Sequence, residues 1–251
     1  MMPSHSRTGP VVEAAAGVLE PVFERLVRIA ETVAANHPDE SSPWSETELA
    51  PVKDLLLQLL TEDQITAGMG FVAAPGAMEG QDRYMMWWQR RGDHVARLRL
   101  NFDPTSIDVY DYVQMEWYQL PRSGSDRVAF GPYVDYSGSE LYTVTATVPV
   151  RVEGRFVGVV GADLVFTELE RRLVSVLRQV PADAIVVSAE RRVLAANTAR
   201  WVVGSKLPAM PRTGEEFTSV EEIPVGTGWV LATSAGGVGA EEQRNSSETN
   251  S

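Results

Sequence analysis

The chain has 251 residues, 44% of them hydrophobic, 8% aromatic and 22% charged, a globular composition that excludes wholesale disorder and fibrous repeats and allows one large domain or two small lobes. Lys and Arg number 22 against 34 Asp and Glu, for a net charge of −12, and no basic cluster offsets it, so nucleic acid and anionic lipid are poor partners. The absence of cysteine removes disulfides, thiolate metal sites and cysteine nucleophiles together.

The opening MMPSHSRTGP has no apolar centre and is followed by Glu13, Glu20 and Glu24, so residues 1–10 read as a disordered start rather than a signal peptide. No stretch reaches the roughly 18 uncharged apolar residues that a membrane span begins to require. The reading at this point is a soluble, cytoplasmic protein. From 11 to about 36, Ala15, Val18, Leu19, Val22, Leu26, Ile29 and Val33 recur at helical spacing, with Pro21 expected to kink the helix. Ser45 followed by Glu48 is a capping-box signature that predicts a second helix near 46–61. Residues 11–61 are therefore the N-terminal helices.

Short apolar or alternating runs begin at Ile65: ITAGMGFVAA, RYMMWWQ and VARLRLNF predict antiparallel strands. TSIDVYDYVQMEWYQLP is too rich in rings and acids for a strand and reads as a short helix or loop ending at Pro121. RVAFGPYVDYSG, ELYTVTATVPVRVE and RFVGVVGADLVF follow as strands, the last two joined by the turn pair Glu153-Gly154. Leu169, Leu173, Val174 and Leu177 mark a helix over 167–179, and AIVVSAE, RRVLAANT, EEFTSVEEI and GWVLATS predict a small second sheet. The polar tail 236–251 reads as disordered. The fold class is α+β: a long N-terminal helix, a larger lobe over 62–166 and a linking helix with a smaller lobe over 167–235.

The run FGPYVDYSGSELYTVTATVPVRVEGRFVGVVGADLVF, preceded by the pair Trp117-Tyr118, resembles the double Cache (PDC-type) sensor domain. The resemblance implies two PAS-like lobes with a small ligand bound in the first; an enzyme using two aspartates, Asp135 and Asp163, as acid and base lacks a nucleophile, metal cluster or cofactor motif, so neither enzymatic activity nor a cofactor is expected. The resemblance also implies a separate signalling or regulatory partner, with homodimerisation as a further expectation. Matched position by position, it places the family's pocket on Tyr110, Trp117, Tyr118, Tyr133, Asp135 and Asp163. Met115 stands where the amino-acid binders of the family carry an arginine for the ligand carboxylate.

That exchange decides the expected ligand. A buried carboxylate without a cation costs several kcal/mol, so a thioether in place of the guanidinium disfavours free amino acids. Two aspartates in one low-dielectric cavity both ionise only around a cation, and ring faces add about 0.5–2 kcal/mol each to a desolvated cation. The expected guest is a small cationic amine, methylated or quaternary ones included. The alternatives are an amino acid or small carboxylate held by another arginine, Arg122 or Arg127, and an interaction or dimerisation module with a vestigial pocket. Each residue also has a structural role open to it: core packing for the rings, an Asx turn for Asp135, a helix cap for Asp163. Met85-Met86 and Trp87-Trp88 alternate faces, core being the first expectation. His5, His37 and His94 lie far apart, with no metal-binding spacing.

Overall fold

A computed structural model describes residues 9–37, 42–136, 142–214 and 216–234. The expected disorder over residues 1–8 and 236–251 lies outside the described residues. The chain divides into two compact units, one formed by residues 20–169 and the other by the remainder.

Helix α1 spans Gly9–Ala35, starting at Gly9 rather than residue 11, and buries Ala15, Leu19, Val22, Phe23, Leu26, Ile29 and Val33. It runs on through Pro21. Proline removes the donor that would meet the carbonyl of Gly17, and both residues are exposed, so water can take that carbonyl. One capping-box bond forms, Ser45 N donating to Glu48 Oε2 at 2.7 Å, and Ser45 Oγ donates to the same oxygen at 2.9 Å. They close a turn ahead of the helix, however, and α2 spans only Ala50–Leu60 with Pro51 in its first turn. Proline is suited to that position because the first amides of a helix have no intrahelical acceptor.

Residues 20–169 carry a six-stranded antiparallel sheet in the order β3-β2-β1-β6-β5-β4. Its strands are β1 Thr66–Ala73, β2 Met85–Arg91, β3 His94–Arg97, β4 Val128–Val134, β5 Tyr142–Val152 and β6 Arg155–Val165. β3 is shorter than VARLRLNF implied, ending at Arg97. The β5–β6 hairpin turns on Glu153 (φ 50°) and Gly154 (φ 82°), the two positive φ values of a type I′ turn. On β2 the alternation is realised: Trp88 lies under Lys53 of α2, while Met85 and Trp87 belong to an aromatic cluster with Tyr112, Trp117 and Tyr118.

Between β3 and β4 the chain makes a 3-10 turn, Tyr112–Gln114, and helix α3, Glu116–Arg122, with Pro121 inside its last turn. Two bonds fix this insertion to the sheet. Tyr112 Oη donates to the Ala73 carbonyl at 2.8 Å, and Thr147 Oγ1 donates to the Trp117 carbonyl at 2.8 Å. Helix α4, Phe166–Leu177, follows β6. The second unit holds β7 Ala184–Val187, β8 Val193–Ala196, β9 Ser219–Glu222 and β10 Val230–Thr233, an antiparallel sheet in the order β8-β7-β10-β9. Its core includes Ile185, Val187, Val193, Trp201 and Phe217.

Candidate functional site

On the α3 side of the larger sheet, a cavity is lined by Met85, Trp87, Leu98, Tyr110, Trp117, Tyr133, Asp135, Thr145 and Asp163. Its volume is about 10 Å³, room for roughly one water. Five of the seven residues expected from sequence meet here: Tyr110, Trp117, Tyr133, Asp135 and Asp163. Tyr118 does not line it. Its ring is fully buried against Tyr112, Trp117 and Phe156, which makes it packing behind the wall. Met115 is the extended residue ahead of α3 and packs on the same aromatic cluster without lining the cavity. Met85, Trp87 and Leu98 complete the wall, and Thr145, which the sequence reading passed over, sits between the two ends of a hydrogen-bonded chain.

Two strand irregularities lie at the site. β1 carries a bulge between Thr66 and Gly68, opposite Leu164 and Asp163, and β4 carries one between Phe130 and Tyr133, opposite Thr145 and Thr143. Such insertions re-aim side chains. Trp87 lies across the sheet because glycines make way for it. A Cβ on Gly70 would come within 2.7 Å of Trp87 Cα, and one on Gly161 within 3.2 Å of Trp87 Cη2 and 2.9 Å of Thr147 Cγ2.

The polar core of the cavity is one chain of bonds. Thr145 stands directly across from Asp163 in the β5–β6 register and donates its hydroxyl proton to Asp163 Oδ1 at 2.7 Å. With that proton committed, the 2.7 Å contact between Tyr133 Oη and Thr145 Oγ1 has Tyr133 as donor. The Thr145 bond ties Asp163 across the sheet to β5.

Burial pushes the Asp163 carboxyl up to about 7; the Thr145 bond opposes the rise and the negative charge of Asp135 adds to it. The phenols of Tyr110 and Tyr133 are both held above the usual range, chiefly by burial. Asp135 and then Asp163 add to it for Tyr110, and for Tyr133 the leading charge is Asp163. Asp135 and Asp163 are 9% and 6% exposed, and no lining residue is basic. Arg127 is engaged elsewhere: its guanidinium grips Glu20 with two bonds of 2.8 and 2.9 Å and lies over Phe23. Arg122 is exposed at the end of α3. Neither lines the cavity.

An antiparallel sheet with a small polar cavity on the side of an inserted helix is a PAS-like arrangement. Residues 52–171 match the methyl-accepting chemotaxis protein-like, first PDC sensor domain family, so this part of the chain is similar to a PDC (Cache) sensor domain. No curated protein matches the chain. Among solved structures, it is similar to the extracellular domain of the putative histidine kinase mmHK1S-Z3, at 15% identity and TM-score 0.64 over 96% of this chain and 94% of that one. The ligand-binding domain of the Pseudomonas fluorescens chemoreceptor CtaA in complex with L-isoleucine aligns at 18% identity and TM-score 0.61, covering 94% and 91% of the two chains. That of the Pseudomonas aeruginosa amino acid chemoreceptor PctC in complex with GABA aligns at 19% and 0.54, covering 89% and 94%.

Proposed function

We propose that this sensor domain binds a small cationic amine through Asp135 and Asp163, with Tyr110, Trp117 and Tyr133 as the surrounding rings. The observation that carries the reading is a cavity holding two buried carboxylates and no basic side chain among its lining residues. Two carboxylates sharing one low-dielectric cavity repel each other, and a cation between them relieves that repulsion. The solved relatives named above hold L-isoleucine and GABA, which share an ammonium group with the proposed guest. They also carry a carboxylate, for which this lining offers no cationic partner.

A guest larger than water must move a wall. Met85 and Leu98 also line an adjoining groove of about 390 Å³ with Tyr84, Arg97 and Leu100, so displacing these two side chains joins the cavity to open space. Access from that side requires no opening of the β5–β6 register that holds Asp163.

The small volume also favours a second reading, a vestigial pocket in an interaction module. Thermal-shift measurements at pH 8 with methylammonium, tetramethylammonium, GABA and L-isoleucine separate the two. A guest near 1,000 times its Kd adds roughly 4 kcal/mol to stability. The amine reading expects a rise with the first two compounds and not with L-isoleucine. A rise with L-isoleucine alone selects the amino-acid alternative, and no rise with any compound selects the vestigial pocket.

No described helix is long and apolar enough to cross a membrane. Two readings of location follow, the cytoplasmic one from the sequence and an external one from the extracellular domain it resembles. Protease accessibility in intact cells distinguishes them.

A further inference from the structure

We infer that Thr145 is the positioning residue of this cavity: its hydroxyl, placed between Tyr133 and Asp163, orients the Asp163 carboxylate toward the guest and sets the pH range over which a cation is taken up. The inference rests on the amine reading above.

The geometry gives Thr145 a role that no other residue around Asp163 fills. It is fixed opposite Asp163 by the β5–β6 register, and its hydroxyl occupies Asp163 Oδ1 at 2.7 Å. Its oxygen accepts a hydrogen bond from Tyr133 Oη at 2.7 Å, so the chain of donors runs in one direction and ends on the carboxylate. The surrounding elements supply Tyr133 and Asp135 from β4 and its end, Tyr110 from the segment before the 3-10 turn, and Gly68, without a side chain, from β1. None of these groups is basic.

Burial and Asp135 therefore favour the protonated carboxyl, and the Thr145 bond opposes them within the empty site. An arriving ammonium must displace the remaining proton. Without the hydroxyl, Asp163 holds that proton more firmly and its carboxylate loses the bond that fixes its orientation. The T-x-T-x-T pattern of β5 serves this end of the sheet throughout: Thr143 donates to the Leu164 carbonyl and Thr147 to the Trp117 carbonyl, each at 2.8 Å.

The test is calorimetric titration of the full chain with methylammonium from pH 5.5 to 8.5, comparing wild type with Thr145→Val, which keeps the branched shape, and Thr145→Ser, which keeps the hydroxyl. Losing one hydrogen bond to a charged group weakens binding at pH 7 by about tenfold or more. The affinity curve of Thr145→Val is expected to move to higher pH as well, with Thr145→Ser restoring both. Tyr133→Phe, which removes the donor to Thr145, is expected to move the curve in the same direction by less. An unchanged Thr145→Val, or one that loses affinity equally at every pH, overturns the inference while a binding wild type leaves the amine reading standing. A wild type that takes up no cation overturns both.

Discussion

Replacing Asp163 by Asn should stabilise the protein at high pH while removing its guest. Asn keeps the shape and can still accept from Thr145, but carries no charge into the cavity. In the folded state the Asp163 carboxyl binds its proton more tightly than in the unfolded chain, with its titration raised from 3.8 to about 7. Between these limits the folded protein keeps a proton that the unfolded chain has released. Stability therefore falls as pH rises through that window, and the whole cost is present above it. At 1.36 kcal/mol per pH unit the cost is about 4 kcal/mol, and Asp163→Asn should recover much of it at pH 8. For a protein of this size that is a rise in Tm of roughly 10 °C. At pH 4 both proteins carry a neutral side chain and the difference should vanish. Differential scanning calorimetry of both proteins at pH 4, 6 and 8 measures it. An Asn variant no more stable than wild type at pH 8, or equally shifted at all three values, refutes a buried, proton-holding Asp163. A gain in stability bought with loss of the ligand would be the usual signature of a binding group.

Two further outcomes follow from the walls of the cavity. Leu98→Ala removes a side chain shared with the outer groove, so tetramethylammonium should gain affinity relative to methylammonium in competition titrations. An unchanged ratio places the access route elsewhere. Gly70→Ala drives a Cβ against the Met86 carbonyl and Trp87, and overpacking of this kind costs about 1–3 kcal/mol. Urea unfolding should show the loss, and tryptophan fluorescence should report displacement of Trp87; a variant with wild-type stability would contradict the close sheet–indole packing.

Much of the architecture was legible because the periodicities are strong. The helical stripe from Ala15 to Val33, the alternation through YTVTATV and GVVGADL, and the Glu153-Gly154 turn each state one local preference that tertiary packing did not override. The start of α2 was misplaced because a capping box signals a closed turn, and here the helix starts at Ala50, two residues beyond Glu48, with Pro51 in its first turn. β3 was overextended since Leu98, Leu100 and Phe102 alternate like a strand but pack on the aromatic cluster from a non-strand segment. At the site, the family resemblance pointed to Asp135, Asp163 and three rings, which line one cavity. Thr145 carried no distinguishing signal, as a threonine alternating with valines reads as an ordinary strand residue. Only the register opposite Asp163 reveals its role. Tyr118 misled for the converse reason: it adjoins Trp117 in sequence, yet on α3 the two rings stand 6.3 Å apart at 87° and only one reaches the cavity.

The exchange of a proton for a cation is most directly read by counting protons. Methylammonium binding would be measured calorimetrically at pH 6 and pH 8.5, each in two buffers of different ionisation enthalpy. With Asp163 titrating near 7, release of about one proton per guest is expected at pH 6 and almost none at pH 8.5. Binding at pH 6 with no proton released, or with protons taken up, would contradict a cavity in which Asp163 trades its proton for the amine.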